Sequence, residues 1–380
     1  MRWWWGRSRP CNILLKMDRF SRTFDGIVGH EPTLRFLRRA LENGVSHAYL
    51  FHGPPGVGKE TIARRFGAAL VAGGDRAAEE RALRGAHPDL VSVEPEGAFT
   101  TISQAREVIG LAATRPFEGA RRVFILRADT LNVQAANALL KTLESPEGET
   151  VFVLLALSRE GVMPTVLSRS QPVRFDPVPV AEVERLLTER LGEGAALEPR
   201  LAAMLGRGSV GLSLRYAEGG AMRELRDASF EAAFALHEDY EGRHRAATRL
   251  VGRAEAVGAE REAAYLAGFE EPNKRVRDAA KRAGRAARDG AVREAMELIS
   301  LSYRDAAVVA AGAEDLVINT DRLAELRERV DRDPGADWAG AALRVGEAAG
   351  ALQYNVSPEA TLEVALSRIR RRVLGSYPGS

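Results

Sequence analysis

The stretch Gly53-Pro54-Pro55-Gly56-Val57-Gly58-Lys59 limits what this chain can fold into more than any other segment. It follows the largely apolar run His47 to Phe51 and precedes a helical pattern from Lys59 to about Leu70, so it reads as strand, glycine-rich turn, helix. The glycines let backbone N–H groups approach phosphate oxygens closely, and a helix N-terminus favours the anion. Lys59 adds a mobile point charge for the outer phosphates. A G-x-x-x-x-G-K pattern between a strand and a helix is specific for a phosphate loop. Expected phosphate contacts are Gly53, Pro54, Pro55, Gly56, Val57, Gly58, Lys59 and Glu60.

Hydrolysis needs more than a cradle. The residue after Lys59 should carry a hydroxyl that binds magnesium, and Glu60 stands there. Thr61 lies one residue further, turned by about 100° on a helix, so its hydroxyl points elsewhere. A hydrolase also carries an acid at the end of a buried strand. The matching run Val123-Phe124-Ile125-Leu126 is followed by Arg127 and Ala128, and Asp129 reads as a surface or capping residue beyond the strand. The loop is therefore expected to bind ATP or ADP weakly and to place no metal.

Residues 18 to 175 alternate short apolar runs with helical patterns. Ala48 to Phe51, Leu90 to Val93, Val123 to Leu126 and Val151 to Leu157 read as buried strands. Long helical connections between them predict a largely parallel α/β sheet. Asp176-Pro177-Val178-Pro179 ends that pattern, Ala181 to about Gly219 reads as a small helical domain, and Ala221 to Leu374 is nearly all helical.

Composition excludes several classes. A length of 380 residues predicts two or three domains. No apolar run approaches the roughly 18 residues that a membrane helix requires. Cys11 stands alone, so neither an internal disulfide nor a cysteine-built zinc site is available. The six His show no paired ligand spacing, and the Ser residues lack a nucleophile-elbow context. The net charge of +2 gives no general case for nucleic-acid binding. Lys274, Arg277, Lys281, Arg285 and Arg288 recur at helical spacing, but Asp278 and Asp289 accompany them, so they read as a solvated face. Residues 1–17, basic and Trp-containing, read as a disordered extension or a misassigned start, with Met17 the natural beginning; with no signal peptide in view, the expected compartment is the cytoplasm.

Further motifs converge on one family. Phe24-Asp25-Gly26-Ile27-Val28-Gly29-His30-Glu31, His47 to Phe51 with the loop, His87-Pro88-Asp89, Ile102 to Arg106, Asn132 to Glu144 and Pro164 to Ser170 together resemble the AAA+ clamp-loader subunits of bacterial DNA polymerase III. Tyr303-Arg304-Asp305 and Asn355-Val356-Ser357 resemble collar segments of the delta-prime branch. The likeness spans about Phe24 to Arg371. It implies an AAA+ nucleotide-fold domain at 18–176, a helical lid at 177–219 and an all-helical collar at 220–376. It places Val28 beside the adenine pocket and makes Arg169 an arginine finger that enters a neighbouring subunit's ATP site. Asn137 and Lys141 keep a structural or subunit-contact role. Implied partners are the tau/gamma and delta subunits and, through the complex, the sliding clamp and primed DNA, with no membrane.

Within that family the departures point to the non-hydrolysing delta-prime branch. Glu60 replaces the metal hydroxyl, Leu126 and Arg127 occupy the acidic positions, and Gly211 stands where a motor subunit carries its sensor Arg. A four-cysteine zinc module common to the family is missing between Val71 and Ala86, so no zinc is expected. The alternatives are an ATP-hydrolysing tau/gamma-type motor and another AAA+ adaptor such as a helicase loader; Asn355 to Arg371 argues against the latter.

Overall fold

A computed structural model describes residues 20–349 apart from 21, 96–98, 147, 236–237 and 270, together with Leu362, Val364, Leu366 and Ser367. The expectations for residues 1–17 and for Asn355-Val356-Ser357 lie outside the described residues. Contacts divide the chain into two units. The first runs to Leu186 and takes back Gly206–Leu212; the second comprises Leu187–Leu205 and the residues from Ser213 onward.

The first unit is built on a five-stranded parallel sheet. Its strands are β1 (Ala48–His52), β2 (Leu90–Val93), β3 (Arg122–Arg127), β4 (Thr150–Ala156) and β5 (Gln171–Arg174), in the order β2-β3-β4-β1-β5. Helices α1 (Glu31–Asn43), α2 (Lys59–Ala72), α3 (Arg76–Leu83), α4 (Ile102–Ala112), α5 (Val133–Glu144) and α6 (Pro164–Leu167) supply the connections and flank the sheet.

Side-chain alternation along the strands assigns the faces. Tyr49, Phe51, Val123, Ile125, Val151 and Val153 join one cluster with Leu34 and Leu37 of α1 and Ile62 and Phe66 of α2. Leu50, Phe124, Leu126, Phe152 and Leu154 join the other with Val108 of α4 and Leu139 and Leu143 of α5. Burial on both faces explains why the central strands read as continuous apolar runs rather than alternating ones. Phe124 and Phe152 sit directly opposite in register and stack at 5.4 Å.

One local expectation changes. The sequence places a strand start at Val166-Leu167, but Pro164–Leu167 is a helical turn with Pro at its first position, and the amides of Val166 and Leu167 bond back to Met163. The strand begins at Gln171 instead. It carries Pro172, which a sheet tolerates because β5 is an edge strand.

The His87-Pro88-Asp89 motif is structural. Asp89 is fully buried and accepts hydrogen bonds from the amides of Phe117 (2.7 Å), Glu118 (2.9 Å) and Gly119 (2.9 Å) and from the Arg122 guanidinium (2.9 Å). Burial alone pushes its carboxyl up, but these donors outweigh it and hold the group below the usual carboxylate range. The hub pins the loop that leads into β3.

The second unit is helical: the end of α7 (Val180–Leu191), α8 (Pro199–Leu205), most of α9 (Val210–Glu218), α10 (Gly220–Ala233), α11 (Tyr240–Leu266), α12 (Lys274–Ala310), α13 (Leu323–Arg332) and α14 (Trp338–Ala349). Tyr303-Arg304-Asp305 lies inside α12 and organises its core. The Tyr303 hydroxyl donates to the Ala233 carbonyl, and the ring packs with Phe234 and Trp338 at 5.9 and 6.1 Å. Asp305 accepts from the Asn319 amide at 2.8 Å, while buried Arg226 donates to the Asn319 side chain at 2.8 Å. Lys274, Arg277, Lys281 and Arg285 are exposed on α12, and Arg288 pairs with Asp289 at 2.7 Å.

Asp89→Ala leaves the Arg122 guanidinium buried without its acid, so it should cost about 3 to 5 kcal/mol in urea unfolding of the full chain. Because the folded pKa lies below the unfolded one, the wild-type contribution is present at neutral pH and lost as acid titrates the carboxylate.

Candidate functional site

Parallel strands all finish at the same edge of the sheet, and the glycine-rich loop leaves β1 at that edge. Gly53 adopts φ +151°, and a Cβ there would lie 2.1 Å from the Phe175 carbonyl oxygen, so the position accepts only glycine. Gly56 adopts φ +74°, and a Cβ would lie 2.0 Å from Ser209 Oγ. Segment Gly206–Leu212 thus closes against the loop, and the amide of Val178 bonds the Gly208 carbonyl behind it. A Cβ on exposed Gly211 would come within 3.9 Å of the Gly56 carbonyl, so the position expected to carry a sensor Arg does border the loop.

The segment expected to border the adenine pocket is fastened to the same loop. His30 Nε2 lies 2.8 Å from the Val57 carbonyl oxygen, and the ring meets Phe175 edge-on at 5.1 Å. Val28 is half-buried two residues earlier. His30 takes a left-handed backbone, φ 62°, immediately before α1.

Lys59 opens α2 with its side chain folded over the loop. Its Nζ donates to the carbonyls of Gly53 and Pro54, each at 2.6 Å, and the residue is only 8% exposed. Burial pushes the ammonium down to about 8, Arg127 acts in the same direction, and Asp129 opposes them. Glu60 turns outward and pairs with Arg64 at 2.8 Å, both side chains being about half exposed.

The end of β3 decides what the loop faces. Leu126 belongs to the cluster under α4 and α5, on the opposite face from α2. Arg127 continues the set of Val123 and Ile125 and therefore lies on the α2 face. Of the two positions assigned to acids, the one on the loop's face holds a cation. Asp129 lies in the following turn; it takes Arg127 Nε and Nη2, each at 3.2 Å, and the Leu157 amide at 3.1 Å.

A nucleotide's phosphates fit this cradle: the glycines bring backbone close, and a buried lysine lies over it. The magnesium that P-loop hydrolases use does not fit. Glu60 points to solvent toward Arg64, Leu126 faces away, Arg127 is cationic, and Asp129 is engaged by Arg127 and the Leu157 amide. Among the described residues, no three His, Cys, Asp or Glu are grouped so as to hold a metal.

Arg169 sits at the other edge. Gln171, two residues later, pairs with Tyr49 near the start of β1, whereas Arg174 pairs with His52 just before the loop. About 10 Å of strand separates those two levels. Arg169 is half-buried; it donates to Glu144 at 3.0 Å and to the Thr165 carbonyl at 3.2 Å. Asn137 and Lys141 lie on α5, whose buried residues include Leu139 and Leu143. Sequence reasoning left two contributors to the loop unread. They are His30 and Ser209, whose contacts with Val57 and Gly56 join residues distant in sequence and leave no local pattern.

Comparison with known proteins gives the family context. Residues 29–179 match the family model described as "DNA polymerase III, delta subunit". The chain is 36% identical over 194 residues to the DNA polymerase III subunit delta' of Pseudomonas aeruginosa, covering 48% of this chain and 58% of that one. It is 30% identical over 181 residues to the Bacillus subtilis delta' subunit, covering 45% and 54%. It is also 31% identical over 209 residues to the tau subunit of Escherichia coli, covering 51% and 32%. The chain thus spans about half the length of the delta' relatives and a third of tau. A solved gamma-subunit-related protein of DNA polymerase III from Thermotoga maritima aligns at 16% identity over 90% of this chain and 99% of its own, with a TM-score of 0.44. The sequence likeness is thus to DNA polymerase III delta' and tau subunits, over about half of this chain. No helix among the described residues is long and apolar enough to cross a membrane.

Phosphate binding needs the charged form of Lys59, whose pKa lies at about 8. Affinity for ADP should therefore hold below that pH and fall as pH rises through it. Isothermal titration should find about tenfold weaker binding near pH 9 than near pH 7, and Lys59→Ala should remove this pH dependence together with most of the affinity.

Proposed function

We propose that the chain is a delta-prime-type subunit of a bacterial clamp loader, one that assembles with tau/gamma and delta subunits and helps open a sliding clamp on primed DNA without hydrolysing ATP itself. The observation that carries this reading is a conjunction. The domain that matches the family over residues 29–179 presents a cation, Arg127, on the face of its phosphate loop where hydrolysis requires an acid. An ATP-hydrolysing tau/gamma-type motor is the less favoured reading, because Glu60, Leu126 and Arg127 all depart from what its metal needs.

Arg169 is the residue through which such a subunit acts on its neighbour. It lies at the sheet edge opposite its own loop, so its chemistry has no local substrate. Its pair with Glu144 is partly exposed on both sides, at 31% and 61%. Pairs of that kind are worth about 1 kcal/mol or less, whereas a guanidinium hydrogen-bonded to a phosphate forms a stronger, charge-assisted contact. Arg169 can therefore exchange Glu144 for the γ-phosphate of a docked subunit, where it neutralises charge that develops in phosphoryl transfer. The nucleotide this chain holds is ATP or ADP, bound weakly, and no zinc is required.

The test is a loader reconstituted with tau/gamma and delta. Arg169→Ala should leave folding and ring assembly nearly unchanged and should slow the motor site it serves by about 10³ to 10⁵. The bulk clamp- and DNA-stimulated ATPase should then fall by at least that site's share. Undiminished ATPase and clamp loading in a fully assembled ring would make Arg169 a structural residue.

A further inference from the structure

The edge of the sheet that carries the phosphate loop is cationic where hydrolytic relatives of this fold are acidic. Arg127 pairs in register with Leu155, and Leu155 with Phe51, so the Arg127 backbone stands level with the last residues before the loop. Two strand spacings, about 10 Å, separate them. The Arg127 side chain projects on the α2 face, the face on which Lys59 begins its helix, and it remains 46% exposed. Asp129 occupies Nε and Nη2; a guanidinium has five N–H donors, so capacity for phosphate oxygens remains. Arg159 and Glu160 follow β4 at the same edge and offset one another in charge. Lys59 and Arg127 then face Asp129, leaving a net positive rim around the cradle.

We infer that the loop takes the polyphosphate of a nucleoside di- or triphosphate in its metal-free form, with Arg127 supplying the charge that a divalent cation supplies in hydrolytic relatives. This rests on the reading that Gly53 to Lys59 holds a nucleotide's phosphates, and it deepens that reading. The physical reason is charge matching. Metal-free ADP and ATP carry their full negative charge, which two cations at the cradle complement. Chelation by magnesium cancels two of those charges and brings a cation toward Arg127 and Lys59, with no acid directed to receive it. Added magnesium should therefore weaken binding, the reverse of what a hydrolytic P-loop shows. It follows that such a site retains nucleotide as a structural anion: an arginine can hold an ATP without activating water or organising a metal-bridged leaving group.

Isothermal titration of ADP and of ATP into the full-length chain tests this, first in EDTA and then in excess magnesium. Binding should be measurable in EDTA and weaker in magnesium. Arg127→Gln should lower the metal-free affinity about tenfold and narrow the difference between the two conditions. Arg127→Asp should reverse the order, making magnesium favourable. Arg127 is exposed, so these variants should keep the wild-type circular dichroism spectrum and melting temperature. Binding that strengthens tenfold or more on adding magnesium to the wild-type chain would overturn the metal-free inference and leave the loop's nucleotide role standing. No binding under either condition, with the chain folded, would overturn both. Unchanged metal-free affinity in Arg127→Gln would remove Arg127 from the site.

Discussion

The shared direction of the five strands is the constraint on which the rest of the first unit depends. Parallel pairing sends every strand's C-terminal end to one edge, so the loop after β1 meets there Arg127 at the end of β3 and the turn holding Asp129, which are distant from the loop in sequence. The same rule sends the residues that precede strands to the opposite edge, and Arg169 precedes β5. A single architectural choice therefore separates the glycine-rich loop from Arg169.

The balance of energies at these sites differs with burial. Asp89 and Arg122 are buried and joined by two hydrogen bonds, so removing either leaves an uncompensated group and costs several kcal/mol. Arg169 with Glu144 and Glu60 with Arg64 are partly exposed pairs, each worth about 1 kcal/mol or less. The first kind fixes the frame; the second leaves side chains able to change partners. Lys59 is intermediate. It is buried, yet its two partners are backbone carbonyls rather than acids, so its charge is partly desolvated and uncompensated until an anion arrives.

Much of this was legible in the sequence because local pattern and tertiary role coincide. The four apolar runs become strands; three are covered on both faces, while β2, at the sheet edge, is only partly buried, and the glycines at 53 and 56 stand where a Cβ would strike Phe175 or Ser209. The start of β5 was misplaced because an edge strand of four residues can carry Pro172 and needs no continuous apolar run. Val166 and Leu167 look like strand residues by composition, but Pro164 fixes a helix start and their amides are satisfied locally. Leu126 and Arg127 both departed from an acidic pattern, yet only the alternation of β3 distinguishes the one that faces the loop. The closure of Ser209 over Gly56 and the bond from His30 to Val57 join residues distant in sequence, and no periodicity announces such contacts.

The central claim is that this P-loop binds without catalysing. Phosphate release from the purified chain in ATP and magnesium, measured beside the Lys59→Ala variant, addresses it most directly. The expected result is the same background rate for both proteins. Turnover of about 1 s⁻¹ or more, typical of an enzyme and abolished by Lys59→Ala, would contradict it.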